Sequence, residues 1–328
     1  MLLTENKLEG KNVLFITTKN IDYIRNSQEI RLIRERSNAF DVIYSSNKNY
    51  ILRILQVWNK ITRQKIRDCD IVFLGFEPQF VLPFVGYKMK NKEIVIDCFI
   101  SVYDTLVNDR KKIKAGGLMA KFCHWLDKKT ISMANTIITD TKAHAEYFHS
   151  EFGGEKDRFE TLYLEADESI YYPREQKKPE KLADKYIVLY FGSILPLQGV
   201  DVVLDSLKNF ENEKDIFFEI IGPVPKKYNK PEQANVCYYE WLSQNELSEH
   251  IAYADLCLAG HFSADIDKAW RTIPGKAYIY EMMGKKMILG DGAANHELFE
   301  SDEKHSFVER GSSMALANEV RRIKNGNK

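Results

Sequence analysis

Three cations crowd one short stretch of the chain: Lys268, Arg271 and Lys276, on either side of Ile273-Pro274-Gly275. Proline is tolerated in the first turn of a helix, where its missing amide would have had no partner. Gly284 is placed to end that helix after about three turns, and Met287-Ile288-Leu289 then reads as a buried strand. A helix start offers free backbone N–H groups and the positive end of the dipole. With the cations added, it suits a doubly negative pyrophosphate. Glu281 follows Lys276 by five residues, roughly 7 Å along a helix axis. That span matches the ribose of a nucleotide, whose two adjacent hydroxyls a carboxylate can accept. The same residues also describe a surface helix with cations near its start.

A second group, Asp97, Asp104 and Asp109 followed by Arg110, leaves a predicted strand end. Any of these carboxylates could orient or deprotonate a sugar hydroxyl. Asp97 and Asp104 could equally cap the next helix.

The elements that must position these residues alternate. Apolar runs at 12–18, 41–46, 70–75, 93–97, 134–140 and 159–164 read as strands, separated by helical periods at 21–37, 50–67, 79–89 and 141–152. Residues 171–180 are polar, carry prolines and lack periodicity, which marks a linker. Strands recur at 186–192, 215–222, 235–240 and 255–260, and Ser243-x-x-Glu246 is a capping-box pattern that opens a helix. Such alternation predicts parallel sheets wrapped by helices, with ligands beyond the carboxyl ends of the strands. Two sheets of this kind predict two doubly wound domains facing a central cleft. Residues 17–20 are no Gly-x-Gly-x-x-Gly fingerprint, which argues against an NAD-dependent dehydrogenase.

With 328 residues the chain suits two domains. Its formal charge is zero, divided as 26 Lys+Arg against 21 Asp+Glu in residues 1–165 and the reverse imbalance in the remainder. Net neutrality argues against a nucleic-acid partner, and the basic half leaves room for an anionic surface. Residues 48–67 carry Lys48, Arg53, Lys60, Arg63, Lys65 and Arg67 with no acid, and 108–129 repeat the theme. Both segments can lie on an anionic membrane surface or form ordinary packed helices with solvated basic faces. The five cysteines form no Cys-x-x-Cys pair and the seven histidines no ligand spacing, so reduced thiols and no metal are expected. The amino-terminal residues lack the apolar core of a signal peptide.

These motifs in this order, Gly192-Ser-Ile-Leu-Pro-Leu-Gln-Gly199, Ile-Ile-Gly222, Ala254-Asp255, Ile-Pro-Gly-Lys276, Glu281 and Gly284-Lys285, resemble the retaining nucleotide-sugar glycosyltransferases of the GT-B fold. The likeness is to the large family-four group of bacterial surface polysaccharide assembly. Asp97-x-Phe-Ile-Ser-x-Tyr-Asp-Thr105 and Asp140-Thr141 are similar to one branch of it. The resemblance implies an acceptor-binding domain over 1–175 and a donor-binding domain over 176–328. The donor is a nucleoside diphosphate sugar and the acceptor a glycan or lipid-linked sugar, with no cofactor or metal. The protein is then cytoplasmic, able to sit at the inner face of the membrane. Gly192, Ser193 and Gln198 would lie at the diphosphate with Arg271 and Lys276, Gly222, Trp241 and Leu242 at the base, and Glu281 at the ribose. Asp97, Asp104 and Arg110 would hold the acceptor, and Asp104, Asp109 and Lys276 would carry the chemistry. Many members have Arg and Lys where this chain has Ser193 and Gln198, and a first glutamate where it has Ile273. Arg271 and Lys276 could replace the missing cations. The crossover helix that many relatives return to the first domain has no counterpart in this sequence. Two rival readings are a non-catalytic nucleotide- or sugar-binding partner protein and a nucleotide-sugar epimerase of the same fold.

Overall fold

A computed structural model describes residues 3–63 and 66–326 of the chain. The chain divides into two units, 1–165 and 166–328. The expected boundary at 175/176 thus differs by ten residues, because Tyr171 is buried and Arg174 donates to the Ser248 hydroxyl at 2.7 Å, tying the segment to the second unit.

The first unit has strands β1 (Asn12–Ile16), β2 (Ala39–Ile43), β3 (Ile71–Leu74), β4 (Glu93–Asp97), β5 (Thr136–Thr139) and β6 (Phe159–Thr161). Its helices are α1 (Leu3–Leu8), α2 (Ile24–Arg36), α3 (Tyr50–Arg63), α4 (Leu82–Val85), α5 (Leu118–Met133) and α6 (Lys142–Phe152). All strands are parallel in the order β2-β1-β3-β4-β5-β6. Alternate residues of β1 feed two cores: Leu14 and Ile16 pack with α3 to α6, Val13 and Phe15 with α1 and α2. Both faces of the sheet are therefore buried, as a period of two requires of a doubly wound sheet. Of the predicted helix over 50–67, the described residues form helix from Tyr50 to Arg63. Lys65 lies outside the described residues, as does the side chain of Arg67.

The second unit has β7 (Tyr186–Phe191), β8 (Ile216–Ile221), β9 (Val236–Tyr239), β10 (Leu256–Gly260), β11 (Met287–Gly290) and β12 (His305–Val308). Its helices are α7 (Val200–Leu207), α8 (Gln244–Tyr253), α9 (Lys268–Arg271), α10 (Gly275–Met282) and α11 (Ser313–Lys324). This parallel sheet runs β9-β8-β7-β10-β11-β12. The direction of winding reverses between β7 and β10, which is where doubly wound sheets open a crevice for ligands. The capping box at Ser243 and Glu246 forms as expected. Strand β12 and helix α11 were not resolved from periodicity; α11 packs against α7 in this same unit.

Candidate functional site

The loops leaving β7 and β8 meet at two glycines. Gly192 has φ +139° and Gly222 φ +141°, conformations that side-chain-bearing residues rarely adopt. A Cβ on Gly222 would sit 2.2 Å from the Gly192 carbonyl oxygen, so only glycine lets these strand ends touch. On the other side of the switch point, Gly260 ends β10 and is followed by His261, a buried residue with φ +58° whose Nδ1 lies 2.8 Å from the Thr272 carbonyl. The floor between β7 and β10 is thus made by glycine backbone, which leaves room for side chains of other elements to close on it.

Lys276 enters this gap. Pro274 is the N-cap of α10, with extended backbone, rather than its first-turn residue. The helix spans eight residues, about two turns instead of three. Lys276 falls in its first turn and is buried. Its Nζ donates to Gln198 Oε1 at 2.8 Å and lies 3.9 Å from the centre of the Tyr190 ring. A Cβ on Gly192 would be 3.3 Å from Nζ, and one on Gly260 3.1 Å. Among the described residues no carboxylate reaches this ammonium within ion-pair distance. Burial without a counter-charge holds its pKa well below the usual lysine range. A buried cation with one neutral acceptor and a ring face is costly unless an anion completes it.

Glu281 does not join this group. It is exposed, and its Oε2 accepts from His305 Nε2 at 2.7 Å, with Asp302 on the other side of the ring. His305 begins β12, so the carboxylate stands at the amino ends of the strands. Five residues of helix turn a side chain by about 140° as well as carrying it roughly 7 Å along the axis, which the linear spacing ignored. The structure thus sets Glu281 apart from Lys276, and its expected ribose role stands as an expectation.

In the first unit the carboxyl ends of the strands gather a different set. Asp97 is buried in a two-pronged contact with Arg25, Nη2 to Oδ1 at 3.0 Å and Nε to Oδ2 at 3.3 Å, and Arg25 also donates to the Leu162 carbonyl. Glu29 stands 3.6 Å from the same guanidinium, and burial beside Asp97 raises its pKa well above the ordinary value. Both Asp97 oxygens are engaged by Arg25 in this internal neutralisation, apart from the acceptor-binding part expected of it. Asp104 to Asp109 form a π-helical turn with both aspartates buried, and Asp104 Oδ1 accepts from Asn108 Nδ2 at 3.1 Å. Such turns are rare and frequent at functional sites. Arg110 is exposed. The cap of the segment is Asp127 on α5, which accepts from Val102 N, Tyr103 N, Ser101 Oγ and Gln79 Nε2.

Glu77, just past β3, has φ +54° and accepts from the Tyr50 hydroxyl. Burial pushes its pKa up to about 7, with Lys19 and Arg110 opposing. A strained backbone bearing a carboxyl that titrates near neutrality is a feature of functional sites.

The chain matches no protein-family model. Over 272 residues it is 32% identical to chitobiosyldiphosphodolichol beta-mannosyltransferase of Candida albicans, covering 75% of this chain and 57% of that protein. The chain thus spans little more than half the length of that curated relative. Among solved structures, it superposes on Anabaena HepE in complex with UDP-glucose with a TM-score of 0.64 at 13% identity, covering 96% of this chain and 90% of that one. Sucrose-phosphate synthase from Thermosynechococcus elongatus gives 0.68 at 10% identity with the same coverage. The fold is GT-B.

Of the residues expected at the donor site, this GT-B chain brings together Lys276, Gln198, Gly192 and Gly222. Ser193 is exposed on the loop after Gly192, and Trp241 is 79% exposed beyond β9, with Leu242 half-buried beside it. Arg271 ends α9 and is half-buried. Sequence reasoning missed Gly260, His261, Tyr190, Glu77 and Asp127. Gly260 closing an apolar strand was a usable signal for the first two; nothing local marks Tyr190 or Asp127. An open pocket of about 990 Å³ elsewhere in the second unit, lined by Phe217, Cys237 and His250 among others, shares no residue with the Lys276 group.

Proposed function

We propose that the protein is a glycosyltransferase that takes a hexose-type sugar from a nucleoside diphosphate sugar and passes it to a glycan or lipid-linked acceptor, in the assembly of surface or capsular polysaccharide. The observation that carries this reading is the Lys276 ammonium, buried without a carboxylate at the glycine-floored switch point of the second unit. A diphosphate supplies the missing negative charge, and the first-turn amides of α10 and the Gly192 loop add donors. Arg271 and Ser193 remain candidates for the same group, and the exposed Trp241 ring, with Gly222 and Leu242, for the base. The mannosyltransferase likeness to the Candida relative and the UDP-glucose bound to HepE support the class of donor and reaction.

Retention, which the family resemblance implies, needs no protein base: the departing diphosphate takes the acceptor proton on the same face, and the protein positions and neutralises. In that case Asp104 and Asp109 orient the acceptor. Inversion is the second reading, and Glu77 favours it, since a base that titrates near 7 on the first unit could deprotonate an acceptor hydroxyl. The "beta" in the relative's name is compatible with it. Neither reading calls for a metal or cofactor.

A thermal-shift panel with UDP, GDP, dTDP, ADP and CMP tests the donor site, because a ligand of the native state raises its melting temperature. Transfer to supplied acceptors, with the product anomer read by NMR, then separates retention from inversion. Preferential binding of a nucleoside diphosphate with no turnover on a broad acceptor range would favour a non-catalytic binding protein. An altered sugar without acceptor would reveal an epimerase.

A further inference from the structure

The first unit exposes apolar side chains where a soluble surface would carry polar ones. Helix α5 buries Ala120, Cys123, Leu126 and Ile131 against the sheet. Its opposite stripe should then be polar, yet it holds Leu118, Met119, Phe122 and Trp125, at spacings that share one face. All four are exposed, Leu118 at 85%. The Phe122 and Trp125 rings stack at 5.8 Å, which presents a flat aromatic surface outward. Helix α3 repeats the pattern: Val57 and Ile61 are buried, while Ile51, at 69%, Leu52 and Leu55 are exposed. Between them, Tyr87 stands at 66% exposure just past α4. Helices α3, α4 and α5 contribute to one core on one side of the sheet and pack in that order, so their exposed residues belong to one face.

The exposed charges carried by α3, by α5 and by the segment before α5 are basic, with Glu151 of α6 meeting His124 of α5 at 3.2 Å. Arg110, Lys111, Lys112 and Lys114 precede α5 and are exposed, as are Lys121, Lys128 and Lys129 on it. Between residues 110 and 130 the one acid is Asp127, which is buried and committed to capping. Helix α3 adds Lys60 and Arg63 and has no acid. A second copy of the chain would bring these cations together, and a nucleic acid would leave the apolar centre without a partner. An anionic bilayer surface satisfies both parts at once: basic side chains meet lipid phosphates while aromatic and aliphatic groups enter the headgroup–acyl boundary. No helix among the described residues is long and apolar enough to cross a membrane, so the contact is adsorption.

We propose that the α3–α4–α5 face of the first unit docks on an anionic phospholipid bilayer, with Leu118, Met119, Phe122 and Trp125 as the inserted residues. Docking stands independently of the transferase reading. Taken with that reading, it selects the lipid-linked class of acceptor, because the first unit is then held at the surface where such a substrate resides.

The test is co-sedimentation of the full chain with vesicles of phosphatidylcholine alone or with about one third phosphatidylglycerol, at about 50 and 500 mM salt. Binding is expected on the anionic vesicles, weakened by salt and absent on the neutral ones. Phe122→Ser with Trp125→Ser, and separately Lys111→Glu with Lys112→Glu and Lys114→Glu, should each weaken it about tenfold or more. These positions are exposed, and an unchanged melting temperature certifies the fold. The nucleotide-induced thermal shift should be intact in all variants, so loss of docking and loss of the donor site read out separately. Absence of binding to anionic vesicles would overturn the proposal, as would binding indifferent to the Phe122/Trp125 change. So would a stable dimer that the same variant dissolves, or a nucleic acid that binds this face in preference to the vesicles.

Discussion

Lys276 Nζ donates to Gln198 Oε1 at 2.8 Å, across 78 positions of sequence. Gln198 stands where many relatives of the resembled family carry a lysine, so the sequence reads there as lacking a cation. The tertiary structure delivers one to that side chain from the first turn of α10. Gln198 then orients the ammonium as an acceptor, and the positive charge reaches the glycine floor from the opposite side of the switch point.

Replacing Lys276 by Met should separate function from stability. Nucleoside diphosphate binding and turnover should each fall at least tenfold, about 1.4 kcal/mol. The folded chain should gain stability, on the order of 1 kcal/mol, because an uncompensated buried cation gives way to an apolar side chain of similar length. A rise of a few degrees in the melting temperature of the free protein, with the nucleotide-induced shift abolished, is the expected result. A fall in both would mean that the ammonium is structural.

Donor binding should take up protons at alkaline pH. Burial lowers the pKa of Lys276 in the free protein, and a diphosphate beside it would raise it again. Between the folded value and the ordinary 10.5, the unfolded chain holds the extra proton, so this group's contribution to stability rises with pH across that window. Calorimetry of nucleoside diphosphate binding in two buffers of different ionisation enthalpy should show uptake that grows with pH. Lys276→Met should eliminate it.

Asp97→Asn should behave as a core substitution. Removing Asp97 leaves the buried Arg25 guanidinium only the longer 3.6 Å contact with Glu29, at a cost of up to about 3–5 kcal/mol. Urea denaturation should show that loss. If stability were kept while the KM for acceptor rose, Asp97 would be assigned to substrate binding rather than to the core.

Glu77→Gln should flatten the pH dependence of stability near neutrality. With its pKa raised from 4.5 to about 7, Glu77 favours the fold fully below about 4.5 and loses that contribution as pH rises through about 7. The variant should lose that slope, on the order of 1 kcal/mol after solvent screening. If the carboxylate also serves as acceptor base, the acid limb of activity, the rise through about pH 7, should vanish with it. A pH–rate profile identical to the parent's would confine Glu77 to a structural part.

Much of this protein is determined by its sequence alone. The strand–helix alternation, the two parallel sheets, the capping box at Ser243 and the importance of the Ile-Pro-Gly-Lys276 stretch all follow from period, turn chemistry and local charge. These depend on neighbours within a few residues, which is the range over which propensity and patterning act. Only the tertiary structure decided that Asp97 answers Arg25, that Glu281 answers His305, and that Lys276 lies on Tyr190 beside Gln198. Each pairing joins residues from different elements, set by strand order and by the direction a side chain leaves its helix. The exposed stripe of α5 was likewise hidden, since apolar residues all round a helix read in sequence as core. A carboxylate's work depends on which charge the fold sets against it, and linear spacing carries no record of that choice.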